Sequence, residues 1–123
     1  MKIVLAGVAI TGISVGSTAE EKVDLVKLLN APNRVIIDVR TESEYNGGHV
    51  AGAVLIPHDD IRKRIHAVVP SKNTPIILYC QSGRRAGIAK STLESLGYRN
   101  VVNAGGYKRV QKIVQAPNKN VQK

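Results

Sequence analysis

Val35-Ile36-Ile37 is an unbroken β-branched run with no polar residue interposed. A strand wetted on one face alternates apolar and polar residues; a continuous run suits a strand buried on both faces of a parallel sheet. Ile76 to Tyr79 has the same character, and Ala53 to Ile56 and Val101-Val102 are shorter versions of it. Stretches of helical periodicity stand between these runs. Such alternation predicts an α/β domain with a mostly parallel central sheet of about five short strands, flanked by helices on both faces.

The intervening segments carry their own punctuation. Glu20 to Leu29 places Val23, Val26 and Leu29 on one helical face, with Leu25 and Leu28 beside them, before Asn30-Ala31-Pro32-Asn33 breaks the pattern. Thr41-Glu42-Ser43-Glu44 fits a capping box, so a short helix starts there and ends at Gly47-Gly48. Pro57 closes the second strand, and Asp59 is placed to cap a helix whose apolar face is Ile61, Ile65 and Val68. Pro70 to Asn73 reads as a turn. Ala86, Ala89, Leu93 and Leu96 recur at helical spacing, with Gly97 as the residue that ends the helix. Asn103 to Gly106 reads as a loop, and Tyr107 to Val114 as a last helix.

The chain has 123 residues, 43% of them hydrophobic, and no Trp or Phe. Its length fits one domain, and its core must be aliphatic. Eighteen Lys and Arg against nine Asp and Glu leave a formal charge of +9, which favours anionic partners. The basic residues are scattered, without aromatic interleaving or a nucleic-acid motif, so a small anion is a better expectation than nucleic acid. His49, His58 and His66 show no metal-ligand spacing, and no cofactor or metal is expected. Lys2 precedes an uncharged run from Ile3 to Gly16, and Ser17-Thr18-Ala19 then offers the small residues of a signal-peptidase site. Residues 1–19 therefore read as a cleaved export signal, too short for a comfortable membrane span. The competing reading is a buried first strand of a cytoplasmic protein. The folded domain would run over residues 20–114, with a basic tail at 115–123 and no stable membrane insertion after processing.

Cys80 is the only cysteine. It ends an apolar strand and is followed by Gln81-Ser82-Gly83-Arg84-Arg85, then by a helical pattern opening at Ala86. A thiol before a helix N-terminus and beside cationic side chains is expected to ionise more readily than a free one. Backbone amides of the loop can form a nest for negative charge, and Gly83 lets it turn tightly. Asp38, Pro57, Cys80 and Asn103 all follow strands, so they should gather at the carboxyl edge of the sheet, where α/β domains bind ligands. The bland alternative is a small buried hydrophobe, as free cysteines often are.

Two segments around this cysteine resemble the rhodanese family of sulfurtransferases. The first is VIIDVRTESEYNGGHVAGAVLIP, from Val35 to Pro57; the second runs from the strand before Cys80 through CQSGRRAGIAKSTLESLGY to NVVNAGG, ending at Gly106. The likeness extends to the small exported, periplasmic members. It implies a rhodanese-like fold and a persulfide on Cys80, loaded from thiosulfate or a similar donor and unloaded by a thiophile such as cyanide. By position, Cys80 is the nucleophile, and Gln81, Ser82, Gly83, Arg84 and Arg85 bind substrate, chiefly through backbone amides, with Arg84 and Arg85 as anion binders. Asp38 and Arg40 would order the loop from behind, with Arg40 paired to Glu44; a plain structural ion pair is the competing reading for Arg40. His49 lies within the first segment and reads as structural. Val110 stands where many relatives have tryptophan.

Three alternatives remain at this level. Cell-cycle dual-specificity phosphatases share the fold but use a cysteine loop one residue longer, ending in arginine; that position is Ala86 here, which disfavours phosphatase or arsenate reductase chemistry. A non-enzymatic module would not need the cysteine. A persulfide or polysulfide carrier would share the chemistry and differ only in delivering sulfur to a partner protein.

Overall fold

In the computed structural model, residues 24–115 are described. The proposed leader, the first residues of the expected Glu20–Leu29 helix and nearly all of the basic tail lie outside them. The elements in chain order are α1 (Leu25–Leu29), β1 (Val35–Asp38), α2 (Glu42–Asn46), β2 (Val54–Leu55), a 3₁₀ turn (His58–Asp60), α3 (Ile61–Val68), β3 (Ile76–Cys80), α4 (Arg84–Ser95), β4 (Val101–Gly106) and α5 (Tyr107–Gln115). Among the described residues four strands pair in the order β2-β1-β3-β4, every pair parallel, in line with the expectation of a mostly parallel sheet of about five.

Both faces of the sheet are covered, as continuous apolar runs require. Side chains along a strand alternate between faces. On one face Ile37, Ile76, Leu78 and Cys80 pack with Ile61 and Ile65 of α3 and with Ala86, Ala89 and Leu93 of α4. On the other, Ile36, Ile77 and Tyr79 pack with Leu29 of α1 and Val110 of α5. All five residues of β3, one of the two inner strands, are buried. Val110 is fully buried in the second layer, where it seats α5 on the sheet.

The expected capping box is present at α2: Thr41 accepts from the Glu44 backbone amide, and the Glu44 carboxylate accepts from that of Thr41. Three local expectations differ from the structure. Asp59 does not cap α3; it sits inside the 3₁₀ turn, and Asp60 occupies the N-cap position without a side-chain cap bond. α4 opens at Arg84, not at Ala86, because Gly83 in the left-handed region (φ +98°) starts the helix two residues earlier than the apolar pattern does. The segment expected as a loop at Asn103–Gly106 continues β4, since its backbone keeps pairing with β3 although its residues have poor strand preference. Among the described residues, no helix is long and apolar enough to cross a membrane.

Leu93 is fully buried between α4 and the sheet, whereas Ile88 on the same helix is 45% exposed. Leu93→Ala should lower the urea-unfolding free energy by about 2–5 kcal/mol. Ile88→Ala should change it by no more than about 0.5 kcal/mol.

Candidate active site

The strand order brings the ends of β1, β3 and β4 side by side, and Cys80 stands at the middle one. The thiol is fully buried, and the Gly83 backbone N–H donates to its Sγ at 2.9 Å. The chain turns from strand to helix across Gln81, Ser82 and Gly83. Behind that turn lies α4, 12 residues long, whose N-terminal dipole end faces the loop and favours negative charge there. Gly106 pairs with Cys80 across the sheet, and a β-carbon at Gly106 would stand 2.5 Å from the Gln81 carbonyl oxygen. The loop can lie on β4 only because that position has no side chain.

The two arginines after the loop have different surroundings. Arg85 faces Glu44 as a bidentate pair, with guanidinium nitrogens 2.9 and 3.1 Å from the two carboxylate oxygens. The Glu44 oxygen nearer to Arg85 also accepts from the Thr41 amide and hydroxyl, so the capping box of α2 doubles as a clamp on the cysteine loop. Its hydrogen bond to Arg85, helped by the Thr41 amide, lowers the Glu44 pKa to about 2. Hydrogen bonding to Glu44 in turn raises that of Arg85; burial opposes this, and the charges of Glu44 and Cys80 add to the rise. Arg84 is exposed and belongs to no ion pair among the described residues.

Asp38 and Arg40 form a buried ion pair at 2.7 Å, with 0% and 3% exposure. The expectation that Arg40 pairs with Glu44 is thereby corrected: Arg40 Nε and Nη2 both donate to Asp38, while Glu44 is taken by Arg85. Burial disfavours the charge on Arg40, but the Asp38 hydrogen bond and carboxylate outweigh it, and its pKa lies above the ordinary value. The guanidinium also donates to the Gly48 carbonyl at 2.7 Å and lies 4.5 Å from the Tyr107 ring centre and 5.6 Å from that of Tyr79. The Tyr79 hydroxyl donates to Asp38 at 2.7 Å and accepts from the Val50 amide. Burial is the largest cause pushing its pKa up, so it stays a donor.

Strand parity places this network and Cys80 on opposite faces of the sheet. It reaches the loop through one contact, Arg40 Nη1 to Gln81 Oε1 at 3.4 Å. Tyr79 and Tyr107 were not singled out from sequence: Tyr79 hides in an apolar run, and nothing in the chain announces that two rings meet one guanidinium. His49 stacks on Tyr45 at 3.7 Å, and its Nδ1 lies 2.9 Å from the Tyr45 carbonyl oxygen, a local structural role. A groove of about 1160 Å³ between α1 and α5 contains no residue of the cysteine loop.

A parallel α/β sheet with a lone buried thiol at the end of an inner strand, cradled by a short turn into a helix, defines a recognisable class. Residues 21–113 match the family described as the rhodanese-like domain, and the chain belongs to that family. It is 45% identical over 74 residues to thiosulfate sulfurtransferase PspE of Escherichia coli K12, covering 60% of this chain and 71% of that protein. It is 36% identical over 84 residues to the putative sulfur carrier protein YrkF of Bacillus subtilis 168, covering 68% of this chain but only 42% of that protein. Among solved structures, a rhodanese with anions from E. coli superposes with a TM-score of 0.60 at 43% identity, covering 62% of this chain and 89% of that one.

The Glu44 clamp has a pH signature. A carboxylate whose folded pKa is depressed stabilises the fold above its unfolded pKa and loses that contribution as pH falls through the folded value. The contribution should be complete above about pH 5 and disappear as pH falls towards about 2. Thermal melts should show wild type more stable than Glu44→Gln at neutral pH, with the gap closing across that acidic window. A gap that does not narrow would mean the carboxylate is not held by Arg85.

Proposed function

We propose that this protein is a sulfurtransferase that moves sulfane sulfur from thiosulfate to a thiophilic acceptor through a persulfide on Cys80. The observation that carries the reading is the 2.9 Å hydrogen bond from the Gly83 amide to the Cys80 sulfur, made in the turn that starts α4. A backbone donor and a helix N-terminus at the sulfur favour it as an anion, both as thiolate and as persulfide. In the first step the thiolate attacks the outer sulfur of thiosulfate. A sulfur–sulfur bond forms to Cys80, the one within thiosulfate breaks, and sulfite leaves with its electron pair. In the second step the acceptor attacks the terminal sulfur, that bond breaks, and the thiolate is restored. With cyanide the product is thiocyanate. No proton transfer is needed in either step, which suits a site whose loop residues include no acid or base other than the thiol.

Gln81, Ser82 and Gly83 supply the turn, and Arg84 is the candidate cation for the incoming sulfonate end. Arg85 serves that anion less directly, since Glu44 already neutralises it. Asp38 and Arg40 act behind the loop through Gln81. The likeness to PspE, named for thiosulfate, supports this donor class. The likeness to YrkF, named as a putative sulfur carrier, favours a second reading, in which the Cys80 persulfide is delivered to a partner protein. Export is proposed on the composition of residues 1–19 alone.

Three measurements test the reading. Wild-type protein should form thiocyanate from thiosulfate and cyanide, and treatment with thiosulfate alone should add the mass of one sulfur atom to the peptide containing Cys80. Cys80→Ser should lose both, and turnover by that variant would refute the persulfide. Poor turnover with cyanide but full sulfur loading would favour the carrier reading. For the third, Arg84→Ala should raise KM for thiosulfate by up to about fivefold, the worth of an exposed ion pair of about 1 kcal/mol, with little change in kcat. An unchanged KM would remove Arg84 from the substrate site.

A further inference from the structure

The pairing of β3 with β4 slips beside the cysteine. Leu78 faces Asn103, but Cys80 faces Gly106, so two steps along β3 match three along β4. This is a bulge, and bulges beside active sites commonly re-aim a side chain. Gly105, within it, has φ +95°. The side chain re-aimed is that of Asn103. Its Nδ2 donates to the Gly83 carbonyl at 3.0 Å, and its Oδ1 accepts from the Gly105 amide at 2.9 Å. Each end of the amide thus has a backbone partner, one on the cysteine loop and one on the bulge.

Gly83 needs such a partner. Glycine moves readily between backbone wells, so its own chemistry does not select the φ +98°, ψ −13° conformation that aims its N–H at Cys80. Its carbonyl is held twice, by Asn103 and by the Gly87 amide at 3.0 Å in the first turn of α4. Apart from Cys80 itself, Asn103 is the only side chain among the described residues that bonds the backbone of residues 81–83. A β-carbon at Gly83 would also stand 3.3 Å from Gly105 Cα, so loop and bulge are in close contact.

We propose that Asn103 is a positioning residue for the sulfur-transfer site: it holds the Gly83 peptide so that the Gly83 N–H stays directed at the Cys80 sulfur. The catalytic consequence rests on the sulfurtransferase reading; the geometric one does not. Two variants separate them. Asn103→Ala removes both bonds. Asn103→Asp keeps the volume and the acceptor for Gly105 but loses the donor to Gly83, and it serves if the alanine variant does not fold. Amide hydrogen exchange followed by NMR should show the Gly83 amide exchanging about tenfold faster, roughly the worth of one hydrogen bond, with Ile77 and Leu78 of β3 as protected as in wild type. Thiocyanate formation should fall about tenfold in kcat, with KM for thiosulfate changed by less than about twofold. Wild-type exchange at Gly83 in the variants overturns the proposal, and so does loss of protection throughout β3, which would make Asn103 a residue of general stability. If wild type itself transfers no sulfur, the functional reading fails while the exchange measurement still decides the role of Asn103.

Discussion

The Asp38–Arg40 ion pair is the constraint on which the carboxyl edge of this sheet depends. Both groups are buried, and removing one partner of such a pair typically costs about 3–5 kcal/mol because the other charge is left stranded. The pair is tolerated because no charge or donor around it goes unmatched. Asp38 accepts from Arg40 and from Tyr79; Arg40 donates to Asp38, Gly48 and Gln81 and lies against two tyrosine rings. The end of β1, the end of β3, the turn after α2 and the start of α5 are thereby tied to one guanidinium. The cysteine loop lies on the far side of that tie and inherits its rigidity through Gln81.

A second constraint works from the other side of the loop. β4 meets the loop with glycine backbone and a single side chain: Gly106 lies under the Gln81 carbonyl, Gly105 lies against Gly83, and the Asn103 side chain donates to the Gly83 carbonyl. A third comes from α2, whose capping carboxylate reaches across to Arg85. The Cys80 loop is thus held by three separate elements, none of which supplies a general base. That division suits the proposed reaction, in which anionic sulfur is exchanged and no proton moves. Stabilising negative charge is then the main demand, and backbone amides held rigidly meet it best.

The alternation of apolar runs with helical stretches made the layered sheet legible, because a run without polar residues has no water-facing side. The position of Cys80 was legible for the same reason, since it ends the most apolar run. Arg84 and Arg85 were equivalent on paper, yet only Arg85 finds Glu44. Charge partners separated by 41 residues are chosen by which elements the fold sets side by side. Asn103 and the glycines after it read as an ordinary loop, since bulged strands of glycine and asparagine have no strand-like composition.

What the chain determined by itself is therefore local and periodic: strands buried on both faces, a capping box at Thr41–Glu44, a left-handed turn available at Gly83, and one thiol to use. Tertiary structure decided who partners whom. It gave Arg40 to Asp38 and Glu44 to Arg85, put the ion-pair network on the sheet face opposite Cys80, and turned Asn103 into a brace for the loop. The reason is physical: composition and spacing set burial and backbone preference, whereas hydrogen-bond partners depend on distances between segments far apart in sequence, and only the packed sheet sets those distances.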